Sequence, residues 1–193
     1  MSRTVLLALL LAACGDDVTH PHARHIAVGA EPTSAPSSSS IAHERPPPPT
    51  LSELVSGGHH WRFATDHGPV HVWIPKGYDA RRAETIVYIH GYYVHVDDAW
   101  KNYKLDAQFA SSAINAMFIA CEGPAAPQEP VSWESLAPLL DSVEKGIGQP
   151  WPKRRIVVVG HSAAWRTLLG WLDEPQIDTV VLVDAAYGEI DEY

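Results

Sequence analysis

The chain has 193 residues and a formal net charge of −9, from 23 acidic and 14 basic residues. This length leaves room for one domain of ordinary size. The negative charge argues against nucleic-acid binding, which favours basic surfaces, and says nothing about a substrate.

The first residues have the pattern of a secretory signal. Residues 1–3 carry positive charge, and residues 4–13 form an apolar stretch too short to span a bilayer. The stretch ends in Leu11-Ala12-Ala13-Cys14, which resembles the signal of bacterial lipoproteins, whose cysteine becomes the lipidated first residue. We therefore expect a lipoprotein signal peptide at residues 1–13, lipidation of Cys14, and a lipid-anchored, extracytoplasmic protein of the bacterial cell envelope. The alternative is an ordinary signal peptide with an incidental cysteine.

Residues 14–50 are rich in serine, proline and histidine and poor in large apolar residues. Such a segment cannot bury enough surface to offset its ordering entropy, so we predict a disordered tether. His20, His22 and His25 lie in it. Isolated histidines on a flexible tether bind metal weakly, so we interpret them as part of a solvated linker. We expect neither a metal ion nor a cofactor.

Residues 51–193 are predicted to form the folded domain. From Trp61 onward the pattern alternates between strands and helices, which favours a parallel α/β sheet. The predicted strands are residues 70–74, 85–89, 115–120, 156–159 and 179–183. The predicted helices are residues 97–112, residues 132 to about 146, and residues 163–172.

With Cys14 lipidated, Cys121 is the only remaining thiol, which leaves no intramolecular disulfide. It closes the apolar run of residues 116–120. We interpret Cys121 as a small buried apolar residue rather than a nucleophile.

One motif stands out in the predicted domain. The segment Gly160-His161-Ser162-Ala163-Ala164 directly follows an apolar run. It resembles the G-x-S-x-G nucleophile elbow of α/β-hydrolases, with Ala164 in place of the second glycine. The alternative is a tight strand-to-helix turn without catalytic meaning. A buried strand before the motif and a helix after it favour the elbow, with Ser162 as the nucleophile.

A second feature agrees with this resemblance. His90-Gly91 ends the strand predicted at residues 85–89, where the α/β-hydrolase family places a His-Gly pair. The resemblance implies that the backbone N–H groups of Tyr92 and Ala163 form the oxyanion hole. We interpret His90 itself as a core histidine that hydrogen-bonds the loop.

Two carboxylates follow predicted strands. Asp184 comes after residues 179–183, at the edge of the sheet that carries Ser162, and the resemblance implies that it is the acid of a catalytic triad. A carboxylate that caps the next turn is the alternative. Glu122 follows residues 115–120. We interpret it as a solvated turn carboxylate rather than a ligand contact.

The triad lacks its base. The family order is serine, then acid, then histidine, and no histidine follows His161. His95 is at the correct edge of the sheet, but its position in a loop does not establish reach to Ser162. We expect the N-terminal portion of a longer hydrolase, or a partner that supplies the rest. Residues 179–183 would then be an exposed edge strand, open to a partner or a second copy.

The sequence therefore predicts a three-layer α/β sandwich with a mostly parallel sheet, of the α/β-hydrolase type and incomplete at its C-terminus. The resemblance implies an extracytoplasmic serine hydrolase that cleaves a small-molecule carboxylic ester through an acyl-enzyme, impaired by the missing histidine. The alternative is a non-catalytic lipoprotein that uses the hydrolase scaffold as a binding module.

Overall fold

A computed structural model of the chain describes residues 4–8, as backbone, and residues 51–186. The predicted tether, its histidines and Cys14 lie outside the described residues. The strands are β1 Thr4–Ala8, β2 Leu51–Val55, β3 Gly58–Thr65, β4 Gly68–Pro75, β5 Glu84–Ile89, β6 Ala116–Cys121, β7 Ile156–His161 and β8 Ile177–Val183. The helices are α1 Val96–Asn102, α2 Leu105–Ser112, α3 Leu136–Ile147 and α4 Trp165–Trp171. Of the helices described, none combines the length and the hydrophobicity that a membrane crossing needs.

The strands form a mixed sheet in the order β1-β8-β7-β5-β6-β4-β3-β2. Strands β5 to β8 pair in parallel, and β2, β3 and β4 are antiparallel to their neighbours. The parallel strands are almost continuously apolar because helices cover both of their faces. All six residues of β6 are buried.

Helices lie on both faces of the sheet. The apolar side chains of α3 and α4 pack on one face, in a cluster with Val87, Ile119 and Val158. Those of α1 and α2 pack on the other face against Tyr88 and Phe118. This confirms the predicted three-layer α/β sandwich.

The outer edge of β8 is covered. Strand β1 runs parallel to β8, with Thr4 paired to Thr179 and Ala8 to Val183. The expectation that β8 is an exposed edge strand is therefore wrong for the uncleaved chain; for a chain cleaved before Cys14, which lacks residues 4–8, it stays a prediction. The free N–H and C=O groups of an apolar edge strand pair with a backbone that can reach them, and residues 4–8 do so here.

Other boundaries differ from the prediction. The helix predicted at residues 97–112 is two helices, because Lys104 takes a left-handed conformation with φ of 50°. Helix α3 begins after Ser135 rather than after Ser132. The hairpin of β2 and β3 was not predicted, because its residues lack a clear apolar alternation.

Candidate active site

Ser162 lies at a sharp corner between β7 and α4. It takes a left-handed conformation with φ of 51° and begins a short 3-10 helix, Ser162–Ala164, that leads into α4. A Cβ on Gly160 would lie 2.4 Å from Leu168 Cδ1 and 3.2 Å from Ala164 Cβ. Position 160 therefore has no room for a side chain, and the small residue at position 164 packs directly beside it, as in an elbow.

The turn after β5 passes directly beside this serine. A Cβ on Gly91 would lie 2.7 Å from Ser162 Cβ and 3.2 Å from Ser162 Oγ. Only glycine allows an approach this close. The residues predicted for the oxyanion hole, Tyr92 and Ala163, each follow one partner of this contact, so the structure brings both segments to Ser162.

The side chain of Tyr92 is held from α4. Arg166 Nη1 donates a hydrogen bond of 3.1 Å to the Tyr92 hydroxyl. The same guanidinium donates to the carbonyl oxygens of Pro127, at 3.2 Å, and Glu129, at 2.9 Å. Arg166 thus ties the turn after β5 and the loop after β6 to the helix that follows Ser162.

Asp184 lies next to the elbow along the sheet edge. It follows Val183, whose register partner on β7 is His161, and its φ is 48°. Its side chain is exposed. Within residues 51–186, no hydrogen bond joins a histidine to Asp184 or to Ser162.

His161 does not serve as the oriented base of a triad. Its Nδ1 is buried and has no hydrogen-bond partner in the part of the chain that the structure describes. Its ring packs edge-on against Tyr103, with 5.8 Å between the ring centroids. Burial lowers the pKa of His161, and the charge of Asp184 opposes that effect only in part.

Glu122 is buried, which corrects the expectation of a solvated turn carboxylate. It is 9% exposed, with Oε1 lying 2.8 Å from His90 Nε2 and 3.1 Å from His95 Nδ1. The backbone N–H of Val96 donates to Oε2 at 3.3 Å. Burial alone would raise the pKa of Glu122, but these hydrogen bonds and the charge of His90 hold it below its usual value. The expectation failed because the loop after β5 and the start of α1 fold over the end of β6.

His90 is fully buried, which confirms that it is a core histidine. Its Nδ1 donates to the Gly91 carbonyl oxygen at 2.7 Å. The side chain of His95, in contrast, is 65% exposed and is held by Glu122. Glu122 follows β6, which lies two strands from β7, or about 10 Å across the sheet. The structure thus brings His95 to Glu122 rather than to Ser162.

Cys121 is fully buried, as predicted, and burial raises the pKa of its thiol. Within the described residues, no group of three or more His, Cys, Asp or Glu side chains is arranged to hold a metal ion.

No family model and no curated protein matches the chain. Among solved structures it is similar to a cold-adapted esterase from an Arctic intertidal metagenomic library, at 18% identity and a TM-score of 0.46 over 68% of this chain and 62% of that one. It is also similar to an S-formylglutathione hydrolase from Agrobacterium tumefaciens, at 11% identity and a TM-score of 0.47, over 68% of this chain and 60% of that one. The esterase LipW from Mycobacterium marinum aligns at 18% identity and a TM-score of 0.43, over 66% of this chain and 44% of that one. The chain therefore spans less than two thirds of the length of each of these hydrolases.

Proposed function

We propose that the chain is a serine hydrolase that acts on a small-molecule carboxylic ester through an acyl-enzyme. The observation that carries this proposal is the contact between the strained corner at Ser162 and the backbone of Gly91. A left-handed serine at a strand-to-helix corner presents its hydroxyl at the sheet edge, and a glycine turn beside it leaves room for a substrate carbonyl.

In this mechanism Ser162 Oγ attacks the ester carbonyl carbon, and the carbonyl electron pair moves onto oxygen. The N–H groups of Tyr92 and Ala163 stabilise that oxyanion; in similar sites one such donor contributes about 3 to 4 kcal/mol. The serine proton passes to a base and then to the departing alcohol. Water next cleaves the acyl-serine, which releases the carboxylic acid and restores the hydroxyl.

The described residues do not identify the base that would accept the proton of Ser162. We assign Asp184 the role of orienting a histidine, but no described histidine is hydrogen-bonded to Asp184 or Ser162. We therefore expect slow ester turnover by this chain alone. Phosphonylation of Ser162 by a fluorophosphonate needs a proton acceptor in the same way, so we specify added imidazole as that acceptor in every labelling experiment.

A fluorophosphonate probe tests the nucleophile directly. We expect the full chain to be labelled at Ser162, as located by peptide mass spectrometry, and the Ser162→Ala variant to stay unlabelled. Ser135, the residue before α3, makes no side-chain cap hydrogen bond and provides a matched control as Ser135→Ala. Absence of label at Ser162 in the unmodified chain would overturn the proposal.

We further propose that the protein is anchored to the cell envelope through lipid on Cys14, outside the cytoplasm. The signal pattern of residues 1–13 supports this. In cells fed an alkyne fatty acid, we expect the chain to become labelled and to be found in the membrane fraction. The Cys14→Ser variant should lose both the label and the membrane association. A labelled Cys14→Ser variant would contradict the assignment.

No described histidine is hydrogen-bonded to Ser162, and this favours one second candidate, a non-catalytic lipoprotein that binds an ester without cleaving it. Under that function, Ser162→Ala would bind p-nitrophenyl butyrate as the unmodified chain does, and neither would release p-nitrophenol above the buffer rate. Saturation-transfer NMR and absorbance measurements on the same samples separate the two functions.

A further inference from the structure

Four separate parts of the fold meet at Glu122. It follows β6, it contacts His90 at the end of β5, and it contacts His95 and the Val96 N–H at the start of α1. Gly68, the first residue of β4, leaves space for it, since a Cβ there would lie 2.7 Å from Glu122 Cβ. A buried carboxylate is costly unless hydrogen bonds compensate it, and here three contacts do so.

His90 transmits this arrangement to the turn beside the serine. Its Nδ1 donates to the Gly91 carbonyl oxygen at 2.7 Å, which places a ring proton on Nδ1. Its Nε2 lies 2.8 Å from Glu122 Oε1 and accepts a hydrogen bond of 2.9 Å from the backbone N–H of Gly123. This nitrogen carries either a proton, which an ionised carboxylate needs, or the lone pair that the Gly123 N–H needs. The protonation state of Glu122 therefore decides which of the two contacts holds His90.

The turn that His90 holds is the one that packs against Ser162. Gly91 approaches Ser162 so closely that a single added carbon atom would overlap its Cβ. Tyr92, the next residue, carries one of the proposed oxyanion donors. Because oxyanion donors act only within a narrow range of distances, a small shift of this turn changes how a developing oxyanion is stabilised.

We infer that Glu122 is a positioning residue that sets the Gly91–Tyr92 turn beside Ser162 by holding His90. Glu122 lies two strands from the serine and acts through the His90 ring. The inference deepens the proposed hydrolase function and rests on it for its catalytic consequence.

The experiment compares Glu122→Gln and Glu122→Ala with Glu144→Gln, a control at an exposed glutamate near the end of α3. The first readout is the second-order rate constant for fluorophosphonate labelling of Ser162. We expect Glu122→Ala to lower it about tenfold or more, Glu122→Gln to lower it less, and the control to leave it unchanged. Labelling of both Glu122 variants at the rate of the unmodified chain would overturn the inference.

A second readout does not depend on chemistry at Ser162. In ¹⁵N NMR spectra, we expect the Gly91 and Tyr92 amide resonances to shift on acidification as Glu122 takes up a proton, and to stay in place in folded Glu122→Gln. Equal titration in both proteins would overturn the inference. If the unmodified chain is never labelled while its Gly91 resonance follows Glu122, the hydrolase proposal fails and the positioning role stands.

Discussion

His60 Nε2 lies 2.9 Å from His71 Nδ1, and both rings stack on Trp100. The other ring nitrogens face carboxylates: His60 Nδ1 is 3.0 Å from Glu53 Oε1, and His71 Nε2 is 2.7 Å from Asp97 Oδ1. Three hydrogen bonds in a row require three protons, and two neutral imidazoles supply only two. One of these three contacts therefore lacks its proton whenever both rings are neutral.

The titration of these rings predicts a loss of stability in acid. Burial lowers the pKa of His60, and it lowers that of His71 from 6.5 to about 4, against the opposing effect of their carboxylate partners. A lowered pKa means that the unfolded chain binds more protons between these values, so stability falls as the pH falls from 6.5 towards 4. The shift at His71 corresponds to a loss on the order of 3 kcal/mol.

Urea unfolding at a series of pH values measures this loss. We expect His71→Gln to flatten the decline between pH 6.5 and pH 4, the two pKa values of His71. His67→Gln, at an exposed position in the turn after β3, should keep the decline. Equal slopes in the unmodified chain and His71→Gln would show that the titration of His71 is not responsible.

The close approach of Gly91 to Ser162 predicts that Gly91→Ala blocks the site. The added methyl would lie 2.7 Å from Ser162 Cβ and 3.1 Å from the His161 carbonyl oxygen, so the turn must move. We expect fluorophosphonate labelling to fall by at least about tenfold.

Gly170→Ala is the matched control for this substitution. Its Cβ would meet only the Glu134 carbonyl oxygen at 3.5 Å, and alanine favours a helix over glycine. We expect a gain of about 0.5 to 1 kcal/mol in stability and unchanged labelling. If Gly91→Ala were labelled as fast as Gly170→Ala, the Gly91 turn would not form part of the reactive site.

Because no described histidine is hydrogen-bonded to Ser162, we predict chemical rescue. Added imidazole supplies the proton acceptor that no described histidine provides at Ser162. We expect imidazole to accelerate p-nitrophenyl butyrate hydrolysis by the full chain beyond its own background rate. The same titration with Ser162→Ala measures that background, and identical rates with both proteins would contradict the role of Ser162 as the nucleophile.

The pairing of β1 with β8 predicts a change in assembly when the N-terminal segment is removed. Without residues 1–13, the edge of β8 loses the strand that covers it. We expect that shortened chain to self-associate in light scattering, whereas the full chain with Cys14→Ser stays monomeric. Adding Val183→Lys to the shortened chain should restore the monomer, because a charged side chain discourages strand pairing. If the shortened chain stayed monomeric, the prediction that the uncovered edge of β8 causes self-association would be wrong.

Residues close together in the sequence were enough to predict the elbow. An apolar run, a glycine two residues before Ser162 and an alanine two after it meet the steric requirement of a tight strand-to-helix corner. The parallel strands and the buried character of His90 followed from similar local patterns. These features depend on backbone sterics and on the burial of neighbouring residues, and the local sequence is enough to indicate both.

The tertiary structure alone decided the environment of Glu122 and the partner of β8. Glu122 follows an apolar strand in a polar turn, and only the folding of His90, His95 and Val96 over it makes it a buried, hydrogen-bonded carboxylate. Strand β8 pairs with residues more than 170 positions away in the chain. Both outcomes depend on which distant segments come together, and burial and backbone pairing are set by those distant partners rather than by the residues beside them.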